Sequence, residues 1–246
     1  MKDAQISNEK TSPSVFVDLR IPGMWSCPGD LIERLPDSYR VTPQELILPD
    51  GTQIHIGFYP SDKQFPGIFH SVCRQPPTKK ERAIVDGYTI NVTLSGCGGS
   101  REAAHRIMQA AATIIKAGGA GVFIDNSMLA HGGELWLEMT EDGGFDALSF
   151  AFVGIIRTNT DLWTAGMHVL GLRDIVVKRT DIVEDYDVVE LIRSMVREDR
   201  RIESGHRVVG GNGTCFSCCA EKGDPRRLAI PMRNPFGRLR LARLLN

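Results

Sequence analysis

The spacing of apolar and polar positions changes several times along this chain, and each change marks an element. Residues 15–21 (VFVDLRI) read as a first strand, ended by Pro22-Gly23. Gly29-Asp30 then opens a short helical stretch, LIERL, stopped by Pro36. ELIL and TQIHIGF flank Pro49-Asp50-Gly51, a turn signal between two apolar runs, and predict a hairpin. In its second arm Ile54, Ile56 and Phe58 alternate and share one face, with His55 on the other. Residues 60–78 carry Pro60, Pro66, Pro76 and Pro77 and read as irregular connection, the place for an internal boundary if the chain has one. Residues 78–85 (TKKERAIV) predict a short helix whose charges form a solvated face.

The clearest pattern lies between Gly87 and His131. YTINVTLS reads as a strand, GCGGS as a glycine turn, REAAHRIMQAAATIIKA as a helix, GGA as its stop and GVFIDNS as a second strand. Ser100 suits the N-cap, and Glu102 sits in the first turn where the macrodipole favours negative charge. Ala104, Ile107, Met108, Ala111, Ile114 and Ile115 make one apolar stripe, and Gly118-Gly119 ends the helix. A right-handed crossover then makes the two flanking strands parallel.

Further on, residues 145–158 (FDALSFAFVGIIRT) read as a long strand and residues 172–179 (LRDIVVKR) as another. Between them, TNTDLWTAGMHVLG is too rich in glycine and polar residues to belong to either. A second amphipathic helix has Asp185 and Asp187 at its start and Val188, Leu191, Ile192, Met195 and Val196 as its stripe, fraying over 197–203 before Gly205. The tail from Val208 reads as short strands around the turns GGNG, EKGDP and NPFG. The sum is one α+β domain over residues 14–246: a mixed sheet containing the βαβ unit, helices packed mainly on one face, hairpins at both ends. Residues 1–13, polar and without the apolar core of a secretion signal, read as a disordered lead-in.

Charge and composition remove several function classes. A net charge of −1 leaves the whole molecule without an electrostatic footprint for nucleic acid or membrane. No apolar run approaches the roughly 18 residues of a membrane span. The expected setting is cytoplasmic, where the six cysteines stay reduced.

Four stretches carry candidate chemistry. In the glycine turn, the N–H groups of Gly98, Gly99, Ser100 and Arg101 form a candidate anion cradle, although GCGGS has neither P-loop nor dinucleotide spacing. The competing account is a tight strand-to-helix turn. Both strands of a βαβ unit end at one sheet edge, which brings Cys97 and Ser100 to the rim that holds Asp125, Asn126 and Ser127, with His131 a few residues on. Cys97, His131 and Asp125 are thus candidates for nucleophile, base and orienter, against the ordinary role of cysteine as a small buried residue.

CFSCC offers Cys215, Cys218 and Cys219 as metal ligands, but a closed site wants four, and Cys27, Cys73 or His206 would have to complete it. In a strand Cys218 faces away from Cys215 and Cys219, which favours structural thiols; no metal and no cofactor is expected. The third stretch, Arg226 to the end, holds six arginines and no acidic residue. RLRLARLL fits an edge strand, an amphipathic helix or a patch for an anionic partner, with pairing inside the molecule the simpler account. Finally, RTNTDLWTAGMH gathers Arg157, Asp161, Trp163 and His168 in one loop. There the structural account has Trp163 anchoring the loop, Thr158 and Asp161 capping backbone groups, and His168 as a satisfied polar residue.

From about Glu81 onward the order of features resembles an uncharacterised bacterial family, domain of unknown function 4261. The similar parts are YTINVTLSG before a helix, AGVFIDNS with a following ELW, TAGMHVLGLRDIVV, and the NPFGRLRL close. The resemblance implies no reaction, because that family has none assigned, and it brings no catalytic residue with it. CFSCC and GCGGS are peculiar to this chain. The expectation is therefore a non-catalytic intracellular domain that binds a ligand, a protein partner or a second copy of itself. The rival is a hydrolase or transferase using Cys97, Ser100, Asp125 and His131.

Overall fold

A computed structural model describes residues 13–182, 185–198, 201–210, 213–221 and 228–244. The lead-in up to residue 12, the middle of GGNG, most of EKGDP and the first two tail arginines lie outside the described residues.

The first half of the chain builds a seven-stranded sheet. Its elements are β1 (Phe16–Gly23), α1 (Pro28–Ile32), β2 (Arg40–Val41), β3 (Glu45–Ile47), β4 (Gln53–Pro60), α2 (Phe65–Val72) and α3 (Lys79–Gly87). Then come β5 (Ile90–Cys97), α4 (Arg101–Lys116), β6 (Gly121–Ile124) and β7 (Leu129–Gly132). The second half adds α5 (Gly133–Asp142), α6 (Phe145–Phe152), β8 (Gly154–Arg157), β9 (Asp161–Ala165) and β10 (Asp174–Lys178). It closes with α7 (Asp185–Glu198), β11 (Arg207–Val209), β12 (Cys215–Ala220) and β13 (Arg238–Arg243).

The chain is an α+β fold with two sheets, ordered β2-β3-β4-β5-β1-β6-β7 and β11-β12-β13-β10-β9-β8. The first sheet pairs antiparallel throughout; the second is mixed, with β10 and β13 parallel. β5 and β6 run parallel, as the crossover through α4 requires, but β1 lies between them and pairs antiparallel with both. Local periodicity carries no information about such an insertion.

Alternation decides the two faces of the first sheet. Val17, Leu19 and Ile21 of β1, Ile54 and Ile56 of β4, Val92 and Leu94 of β5, and Val122 and Ile124 of β6 join one core. That core continues through α4 and α6 to Ile175, Val177, Leu239 and Leu241 of the second sheet. α4 begins as expected, with Ser100 Oγ accepting from Ala103 N–H at 3.1 Å, and its alanines let it lie close to the strands. On the opposite face Phe123 packs with Phe65 and Phe69 of α2 and Val85 of α3, a second and smaller cluster. Helices thus lie on both faces of this sheet.

Several expectations are corrected. Residues 145–158 are a helix followed by a short strand: Ala147, Leu148, Ala151 and Phe152 are all buried, so no polar stripe marks α6 as helical. Its last carbonyls are held by Arg74, whose Nη1 and Nη2 donate to Phe150 O (2.8 Å) and Val153 O (2.6 Å). The supposed loop over 157–168 contains β9 and leads into a 3₁₀ turn, Met167–Leu170. The proline-rich connection contains α2, because Pro66 sits in its first turn, where no N–H is missed. In α3, Glu81 is buried instead of solvated: it completes a capping box with Thr78 and also accepts from Glu134 N at the start of α5 (2.7 Å). RLRLARLL is neither an edge strand nor a helix, since β13 lies between β12 and β10. Its Arg240 pairs with Glu221 (2.7 Å) and Asp161 (2.8 Å), and Arg238 stacks on Trp163, so these arginines are matched inside the fold.

Candidate functional site

The structure separates Cys97 from His131. Cys97 is exposed at the end of β5, opposite Phe16. His131 is fully buried in β7 opposite Val122. Three strand spacings across and five residues along place the two on the order of 20 Å apart. Burial holds His131 neutral, with its pKa lowered to about 4, and Nε2 lies 3.0 Å from Ala151 O between the Trp136 and Phe150 rings. It is a core histidine.

The glycine turn is explained by close packing. Gly98 N donates to Val15 O and Gly99 N to Val169 O, both at 2.9 Å, so two amides of the supposed anion cradle are already used. Gly99 has φ +85°, and a side chain on Gly171 (φ +80°) would strike Gly99 O. Two glycine turns therefore meet back to back; positive φ disfavours a side chain at both, and at Gly171 the collision forbids one. The Arg101 guanidinium reaches Val196 O and Arg197 O at the end of α7 and stacks on Phe145 at 4.6 Å.

In β12, Cys215 and Cys219 share one face and Cys218 the other, where it is buried against Leu241's strand and its thiol pKa is raised by burial. Among the described residues no three His, Cys, Asp or Glu side chains gather as a metal site would need. Cys73 is half-buried and its thiol is pushed up to about 11, chiefly by desolvation.

Asp125, Asn126 and Ser127 do reach the expected rim, where Asn126 ties it together. Its Oδ1 accepts from Asp18 N (2.9 Å) and its Nδ2 donates to Phe16 O (2.9 Å), with Pro231 O and His168 Nε2 each at 3.1 Å. Asn126 thus finishes the β1–β6 ladder with a side chain and fastens the Pro231 segment over it. His168, lowered to about 4 by burial, is neutral here.

Beside this rim the outer face of the seven-stranded sheet opens into a cleft of about 680 Å³, within the usual size for a small-molecule site. Register arranges its floor in rows. His55, Ser95 and Asp18 lie side by side across β4, β5 and β1, and continuing the β1–β6 pairing sets Asp125 against Asp18. The next row is Gly57, Thr93 and Arg20; the third is Tyr59 and Asn91 beside Pro22. Phe65, Tyr88 and Asp62 form a wall, and Tyr88 Oη accepts from Asp62 N to fix it.

Two features of this cleft are costly to folding. Asp18 and Asp125 are like charges on directly opposed positions, an arrangement that destabilises a sheet. Burial, with the Asp18 charge added, raises the Asp125 pKa, while Arg20 Nε opposes this through a 2.8 Å bond to Asp125 Oδ2. Asn91 is 6% exposed, and its Oδ1 is buried without a hydrogen-bond partner. Such an acceptor costs about 1–3 kcal/mol until a donor reaches it. No family model, curated protein or solved structure matches this chain. Geometry alone therefore ranks the sites.

A second depression, about 510 Å³, is lined by Leu172, Met195, Ile202 and Phe236, and its Arg173 is already paired with Glu203 at 2.7 Å. It holds no unsatisfied buried polar atom among the described residues. Asp18, Arg20, Asn91, Thr93 and Ser95 went unrecognised in the sequence, although their signal is present: in VDLRI and TINVTLS every second residue is polar.

Proposed function

We propose that this chain is a non-catalytic domain that binds a small polar molecule on the outer face of its seven-stranded sheet. The observation that carries the reading is Asn91 Oδ1, an unsatisfied acceptor buried at the floor of a roomy cleft. The opposed carboxylates Asp18 and Asp125 support it, because two like charges face each other there and Arg20 is bonded to only one of them. A cytoplasmic setting suits the six cysteines, all of them free thiols.

The test is a ligand-observed NMR screen of a mixed metabolite library against the wild type and Thr93→Phe, whose ring would fill the middle row. Ligands that bind the wild type and are lost in the folded variant support the reading. A wild type that binds nothing, or ligands indifferent to Thr93→Phe, would overturn it.

A further inference from the structure

The chemistry of the floor narrows the ligand, on the basis that this cleft is the binding site. Arg20 is bonded to Asp125 only through Nε, and its Nη1 and Nη2 make no hydrogen bond to any described residue. With its side chain 46% exposed, the guanidinium keeps an open fork for a carboxylate. Thr93 Oγ1 stands in the same row, packed close to Gly57 beside the Tyr59 ring: a Cβ on Gly57 would come within 2.7 Å of that oxygen and 2.9 Å of Tyr59 Cε2. One row away, about 7 Å along the strands, Asp18 and Asp125 present two carboxylates that a single ammonium would bridge. On the other side, at a similar distance, Asn91 lines the floor beside Tyr59, Phe65 and Tyr88, its Oδ1 buried and without a hydrogen-bond partner.

Simpler ligands leave part of this floor unmatched. An anion such as phosphate would meet three carboxylates, Asp18, Asp62 and Asp125, against one guanidinium. A plain amine would leave the Arg20 fork empty. We infer that the cleft takes a zwitterionic amino compound of the α-amino-acid type: ammonium on Asp18 and Asp125, carboxylate on Arg20 and Thr93, and a side chain with an N–H or O–H donor reaching Asn91.

Isothermal titration of the wild type with each of the twenty protein L-amino acids tests this. At least one with a donor-bearing side chain binds; its decarboxylated amine and its N-acetyl derivative each bind about tenfold more weakly or worse, the loss expected for one charged hydrogen bond. Arg20→Gln weakens the amino acid but does not weaken the amine, since it also frees Asp125 Oδ2 for the ammonium, while Asp18→Asn weakens both. The derivative arms use wild-type protein, so they decide the matter even where a variant folds poorly. No binding by any amino acid, or an amine as tight as its parent, overturns the inference. If a different compound from the library binds and is lost in Thr93→Phe, the cleft stands as the site and only the ligand class falls.

Discussion

Replacing Asp174 by asparagine should change how the stability of this protein varies with pH. Asp174 opens β10 fully buried, accepting from Thr164 Oγ1 (3.1 Å) and Met167 N (3.3 Å), with Arg238 opposite it across the parallel pair. Desolvation outweighs these contacts and raises its pKa to about 7 from an ordinary 3.8. The native state thus keeps this proton to a higher pH than the unfolded chain does, so the contribution of Asp174 to stability falls as pH rises from about 4 to 7. At 1.36 kcal/mol per unit, the cost is about 2 kcal/mol at pH 5.5 and about 4 kcal/mol at pH 8. His131 and His168 act in the opposite sense: each is held neutral with a lowered pKa, and stability is lost as pH falls from 6.5 toward 4. Their effect is common to both proteins and cancels in the difference. Urea unfolding of wild type and Asp174→Asn at the two pH values should therefore show the variant gaining about 2 kcal/mol relative to wild type between pH 5.5 and pH 8. Parallel curves, with a difference constant within about 0.5 kcal/mol, would refute the claim that the folded state holds Asp174 protonated near neutrality.

Three other substitutions test the packing arguments. Glu81→Ala removes the group that caps both α3 and α5 and should cost about 2–4 kcal/mol in urea unfolding, well above an exposed glutamate. Gly171→Ala combines a positive φ with a collision against Gly99 O and should lose more than about 2 kcal/mol; a neutral result would show that the two glycine turns can separate. Cys97→Ala, at an exposed position on the order of 20 Å from His131, should leave stability within about 0.5 kcal/mol and leave binding in the cleft unaltered; robust hydrolase turnover that this variant abolishes would restore the rival enzyme reading.

What the sequence disclosed follows the range of the forces involved. α4 was legible from its N-cap, its stripe and its glycine stop because all of these act within one turn or along one face. α7 was legible for the same reason: Val188, Leu191, Ile192, Met195 and Val196 are its buried residues. α6 was not, because phenylalanines (exposed Phe145 and half-buried Phe150) stand where a surface helix shows polar residues, and FDALSFAF then looks like strand. The rows of the cleft depend on which strands are neighbours. Asp125 was placed on the right rim from the crossover alone, yet its partners Asp18 and Arg20 come from a strand more than a hundred residues away, as the |i−j| of 105 for the Arg20–Asp125 bond records. The alternating polar residues of β1 and β5 were visible one strand at a time, but a site appears only when the two are laid side by side.

The insertion of β1 between β5 and β6 also sets a timetable for synthesis. β1 leaves the ribosome before β5 and β6, and its ladder to β6 is finished only by Asn126, 108 residues after Asp18. At roughly 5–20 residues per second, β1 waits about 5–20 s before its second edge is paired. Its partners arrive from one side and then the other, with the α4 crossover made between the two events. The central strand of the sheet thus waits for both of its neighbours, so slowing translation before residue 126 should lengthen the interval in which the nascent chain is prone to aggregate.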